Sequence, residues 1–179
     1  MYRNPLSKGM ISKMKQTFQE EVLSGNLECR KFFGIVEDEP AEQIIEFCRW
    51  VVSSYEYESH THCVKAAFHL LAQLRDVPSL PKLKALHGIW KNTYLSEYEY
   101  LLELLVNAES GAICNCNVYQ DGGFNVPPYQ VDLEEIDRRF DDVEQTDILT
   151  VKCKFCETLW EVEIDYSYHY PHSHWRKKT

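Results

Sequence analysis

The sequence predicts an α+β protein: an N-terminal helical bundle followed by a small antiparallel β domain that carries one helix. Three observations carry this reading. Apolar residues recur at helical spacing in successive segments of residues 1–109. Residues 159–168 alternate apolar and acidic side chains at the period of a strand. Four of the 7 cysteines fall in two tight pairs within residues 110–179. The domains are therefore placed at 1–109 and 110–179.

The first helix is expected from Leu6, Ile11, Met14, Phe18 and Val22, with Ser24-Gly25-Asn26 as its stop. A second is expected over about 41–53, opened by Pro40 and carrying Ile44, Ile45, Phe47, Cys48, Val51 and Val52. The third, about 62–74, places Val64, Ala67, Phe68, Leu71 and Leu74 on one face and is broken at Asp76-Val77-Pro78. Ser79 would cap a fourth with Leu83, Leu86, Ile89 and Trp90 inward. A fifth would run over 94–106 with Leu95, Tyr98, Leu101, Leu102 and Leu105. Short loops between antiparallel-leaning helices suggest a bundle.

Past Ser110-Gly111 the pattern changes. Residues 112–119 read as a short strand, Asp121-Gly122-Gly123 as a turn and Pro127-Pro128 as a loop. A helix is then expected over 132–147: Asp132 as cap, Glu135 in capping-box position, and Leu133, Ile136, Phe140 and Val143 as the apolar stripe. Residues 148–152 and 159–168 read as hairpin partners. Trp160, Val162, Ile164, Tyr166 and Tyr168 point one way, and Glu161, Glu163, Asp165 and Ser167 the other.

The chemistry lies in the cysteines. Cys153 and Cys156 stand two residues apart in the turn of that hairpin, as a knuckle requires. Cys114 and Cys116 are one residue apart, so on a strand both point to one side. Between Cys116 and Cys153 lie 36 residues, enough chain to bring the pairs together. Four thiolates around Zn²⁺ give a closed tetrahedral site with no position for water, hence a structural zinc. Lys152 and Lys154 flank the knuckle and offset part of its charge. The rival readings are four free thiols, or a redox dithiol at Cys153–Cys156. The latter is disfavoured because strand, not a helix N-terminus, follows.

Over residues 112–168 the pattern resembles zinc ribbons and zinc knuckles. The Cys-x-C spacing of the first pair departs from their commoner two Cys-x-x-Cys knuckles. The resemblance implies a zinc-stabilised β domain and no particular activity.

His169, His172 and His174 form a possible secondary metal group, whose alternative is an aromatic tail anchored by Tyr168, Tyr170 and Trp175. His60, His62 and Cys63 read as exposed polar residues at a helix start, and Cys29 and Cys48 as small core hydrophobes.

Net charge is −9. Residues 111–179 hold 7 Lys and Arg against 13 Asp and Glu, and residues 1–110 hold 12 against 15, so the acidity is concentrated in the smaller part. That balance argues against nucleic acid, which needs clustered cations. No apolar run has signal-peptide or membrane-span length, so a cytoplasmic protein without membrane association is expected. Phosphate loops, nucleophile elbows and metalloprotease helices are all missing, and no catalytic residue is assigned.

The expected role is a protein-interaction module, in its specific form an inhibitor or immunity-type protein binding a basic partner through Glu161, Glu163 and Asp165. The alternatives are a nucleic-acid-binding or transcription-related zinc protein, and an enzyme with its site at the histidine-rich segment.

Overall fold

The computed structural model describes residues 5–90, 95–121, 130–167 and 171–178. Among them it is α+β, with eight α-helices and one four-stranded antiparallel sheet. The chain divides into two compact units, Met1–Leu101 and Leu102–Thr179, the division falling inside the seventh helix.

In the first unit α1 (Pro5–Thr17) runs on into a π-helical turn, Phe18–Val22. Gly25, at φ +81°, lets the chain leave that turn, as the stop signal predicts. An unforeseen helix follows, α2 (Cys29–Val36), then α3 (Ala41–Ser54) and α4 (Thr61–Gln73) close to their expected bounds.

Phe18 is the centre of the core. Its ring meets Phe32, Phe33, Phe47, Trp50 and Tyr55 at 5.3–6.4 Å, mostly edge to face. The expected fourth helix is broken into a 3₁₀ turn (Val77–Ser79), α5 (Leu80–Ala85) and α6 (His87–Trp90). Ser79 does not cap it: its hydroxyl donates back to the Asp76 carbonyl at 2.8 Å. Leu83 and Trp90 are buried as expected, whereas Ile89 is exposed. The helix α7 (Leu95–Glu109) follows. No helix among the described residues is long and apolar enough to cross a membrane.

Two carboxylates, the buried Asp76 and the half-buried Glu97, organise this unit. Arg49 forks onto Asp76, its Nε donating to Oδ2 at 3.0 Å and its Nη2 to Oδ1. Glu97 accepts from His69 Nε2 at 2.8 Å and pairs with Lys65. Cys29 and Cys63 are joined in a disulfide. That corrects the reading of Cys29 as a core hydrophobe and of Cys63 as part of an exposed polar cluster; Cys48 is fully buried, as expected.

The second unit holds α8 (Cys116–Asp121) and four strands in the order β1-β2-β3-β4: β1 (Leu133–Asp141), β2 (Thr146–Cys153), β3 (Leu159–Asp165) and β4 (His172–Lys177). The predicted hairpin is β2–β3, with Trp160, Val162 and Ile164 buried as their alternation requires. The inner face of the sheet collects Leu149, Val151, Val162, Ile164 and Trp175. On it Tyr119 of α8 stacks at 5.7 Å from Trp175.

Two expectations are overturned here. Residues 112–119 are not a strand: Cys116 opens α8, whose Val118 and Tyr119 are buried at helical spacing. Residues 132–147 are not a helix but β1 and its turn. Of the apolar stripe that suggested a helix only Leu133 is buried: Ile136 is 52 % exposed, Phe140 50 % and Val143 87 %. What hides the strand in the sequence is a β-bulge between Glu135 and Asp137, which shifts the alternation by one residue. The expected turn at 121–123 and loop at 127–128 lie, from residue 122 on, outside the described residues.

Candidate metal centre

The four cysteines come together. Their sulfurs all lie within 4.8 Å of one another, and Cys116 Sγ and Cys156 Sγ are 3.8 Å apart. A tetrahedron with metal–sulfur bonds of about 2.3 Å has edges of about 3.8 Å, so this donor set fits a single tetrahedral ion. Four sulfurs suit zinc or iron. Among the described residues this is the group of three or more His, Cys, Asp and Glu with metal-ligand spacing.

Each half of the cage is held by its own local structure. Cys153 ends β2. Its N–H donates to the Thr158 carbonyl at 3.0 Å, and its own carbonyl accepts from Glu157 N–H at 3.0 Å. Glu157 adopts φ +58°, which turns the chain back into β3. The Cys156 N–H points at Cys153 Sγ at 3.5 Å, the amide-to-sulfur contact of a knuckle. On the other side, Asn107 near the end of α7 donates to the Cys114 carbonyl at 2.8 Å and accepts from Asn117 at 3.1 Å. Gly111, at φ +84°, lets the chain leave α7 towards that loop.

A buried carboxylate ties the halves together. Asp132, 1 % exposed, accepts the Tyr119 hydroxyl at 2.7 and 2.8 Å and Asn115 Nδ2 at 3.3 Å. Its backbone carbonyl accepts Lys154 N–H at 2.9 Å, and Lys154 Nζ reaches the Val131 carbonyl at 2.7 Å. One residue thus anchors both the Cys114–Cys116 segment and the Cys153–Cys156 knuckle. The sequence reading made Asp132 a helix cap. Its role depends on burial and on Tyr119, neither of which has a local sequence signal.

Electrostatics follow from this burial. Desolvation pushes Asp132 up to about 6, against the lowering pull of Tyr119, Asn115 and Lys154. Burial and the neighbouring sulfurs push Cys116 up, and burial raises Cys153 as well. Cys156 is held at about 7: burial raises it, but hydrogen bonds at Thr158 and from the other thiols outweigh that. Cys156 is therefore a readier thiolate than Cys116 or Cys153, and a cation is what makes four adjacent thiolates compatible.

The remaining predicted residues sit elsewhere in this unit. Glu161, Glu163 and Asp165 share the outer face of β3, half-buried. Directly across on β4 stand Arg176, His174 and His172, and Arg176 Nη2 lies 3.4 Å from Glu163. The acidic row is thus flanked by a row of cationic and imidazole side chains, which only the register of β4 on β3 reveals. His172 and His174 share that face; His169, with Tyr168 and Tyr170, lies outside the described residues.

Comparison with protein families, with curated proteins and with solved structures finds no match for this chain.

Proposed function

We propose that this chain is a zinc-binding protein in which one ion at Cys114, Cys116, Cys153 and Cys156 fixes the C-terminal unit. We read that unit as a platform for binding another protein. The observation that carries the reading is the convergence of four sulfurs from two segments 36 residues apart, locked to each other through Asp132. With all four ligand positions taken by protein, the ion has no place for substrate or activated water. Its contribution is folding energy, about 10–16 kcal/mol for sites of this kind at neutral pH. In this reading residues 1–109 form the helical domain and 110–179 the zinc domain.

The interaction half rests on the outer sheet face. Glu161, Glu163 and Asp165 on β3 lie in one row, within reach of a basic partner that can compete for them with Arg176. An inhibitor or immunity-type role toward such a partner is the specific form proposed.

The metal and the partner are tested separately. Elemental analysis of protein purified without added metal should return one zinc per chain, and a Cys116→Ser variant none. Replacing Glu161 and Glu163 with lysine should leave the zinc content intact and slow association with a basic partner captured from the native host. Unchanged association kinetics would remove the partner reading and leave the metal reading standing.

A further inference from the structure

β1 is an edge strand, and seven consecutive residues, Glu134–Phe140, are exposed along it. Edges are commonly blunted by charges that repel a second copy. The charges of β1 are arranged differently. Glu134 and Glu135 stand on one side of its midpoint and Arg138 and Arg139 on the other. A two-fold axis between Ile136 and Asp137 sets Glu134 opposite Arg139 of a second copy and Glu135 opposite Arg138 of a second copy, with the same pairs repeated by symmetry.

The bulge decides whether those pairs can meet. In an unbroken strand residues 135 and 138 point to opposite faces. Here the extra residue at Ile136 shifts the register. Leu133, Glu135, Arg138 and Phe140 sit across from Cys153, Val151, Leu149 and Asp147 on the inner face, and Glu134 and Arg139 across from Lys152 and Ile148 on the outer face. The 3.3 Å contact between Arg138 and Glu135 within one chain confirms that these two share a face. In the two-fold register every opposed pair then lies on one face. Glu135 meets Arg138 on the inner side and Glu134 meets Arg139 on the outer, while the exposed Phe140 comes opposite Leu133.

We propose that β1 is a homodimer interface, pairing antiparallel with β1 of a second copy so that two four-stranded sheets become one. The partner is a second copy because the strand is charge-complementary to itself in a register that its bulge permits and that overlaps its whole exposed length. The inference depends on the metal only as far as the metal keeps the unit folded, and metal content measured on the same samples separates the two failures.

The test uses zinc-replete full-length chain in analytical ultracentrifugation. Wild type should show a concentration-dependent dimer that weakens with salt. E134K/E135K and R138E/R139E should each weaken self-association about tenfold or more, because every cross-axis pair becomes like-charged. Mixed together, the two variants restore all the pairs and should form a heterodimer at wild-type strength, an outcome that misfolded variants cannot produce. Independently, β1 amides of the wild type should be protected from hydrogen exchange at dimer-forming concentration and lose that protection on dilution. A wild type that stays monomeric at every concentration overturns the proposal and leaves the edge to a different partner. A dimer indifferent to both reversals also overturns it.

Discussion

Tyr119→Phe is a sharp probe of the network that joins the two cysteine segments. The substitution removes one oxygen and keeps the ring against Trp175. It leaves the buried Asp132 carboxylate without the hydroxyl that donates to both of its oxygens at 2.7 and 2.8 Å, and with the longer bond from Asn115 at 3.3 Å. Burial already lifts Asp132 from 3.8 to about 6, which at pH 8 corresponds to a burden of about 3 kcal/mol. A hydrogen bond to a charged group contributes about 1.5–3 kcal/mol, so at pH 8 the variant should lose about that much stability.

The sign with pH is fixed by the direction of the shift. Because the folded value lies above the unfolded one, the folded state takes up the proton first. The burden is absent below about pH 4, grows as pH rises, and is complete above about pH 6. The loss in Tyr119→Phe should therefore shrink towards 0.5–1.5 kcal/mol, roughly the worth of a neutral hydrogen bond, once Asp132 is protonated. It should shrink likewise at pH 8 in an Asp132→Asn background. The assay is urea unfolding at buffered free zinc, followed by the fluorescence of the tryptophans. A variant within about 0.5 kcal/mol of wild type at pH 8 would refute the reasoning, as would a larger loss at pH 5 than at pH 8.

Two further predictions concern the N-terminal unit. Burial pushes Glu97 up, but hydrogen bonds and charge from His69 and Lys65 outweigh this and hold it below its ordinary value of 4.5. Its contribution is therefore complete above about pH 4.5 and lost as pH falls through the folded value. Glu97→Gln should cost about 1–3 kcal/mol at pH 7 and flatten the acid limb of the stability curve; an unchanged acid limb would count against it. The disulfide between Cys29 and Cys63 closes a loop of sequence separation 34, for which about 3–4 kcal/mol of stabilisation is expected. Melting with and without reductant should differ accordingly in the wild type and not in Cys29→Ser, and equal melting curves for the wild type would remove that role.

How much of this was legible in the sequence depended on whether a residue's role is local. The helices α3 and α4 were legible because Phe47, Val51, Ala67 and Leu71 recur at the helical period on a buried face. The β2–β3 hairpin was legible because Trp160, Val162 and Ile164 alternate without interruption. β1 was not, because one bulged residue breaks its alternation and leaves a spacing that imitates a helix. The convergence of the cysteines followed from chain length and thiol chemistry. The path did not: the first pair sits at a loop and the start of α8, not on a strand. Asp132 and the Cys29–Cys63 bond were invisible because each depends on a neighbour far along the chain. The charge of Glu161, Glu163 and Asp165 could be read directly, but the residues opposite them required the register of β4.

Cobalt(II) titration of the metal-free chain addresses the proposed centre most directly, since tetrahedral thiolate ligation gives intense visible bands that octahedral oxygen ligation does not. The bands should rise to saturation at one equivalent, disappear on adding zinc, and be absent or strongly altered in Cys116→Ser and Cys153→Ser. Weak octahedral-type absorption, or a full spectrum that survives both substitutions, would contradict a single ion shared by the two cysteine pairs.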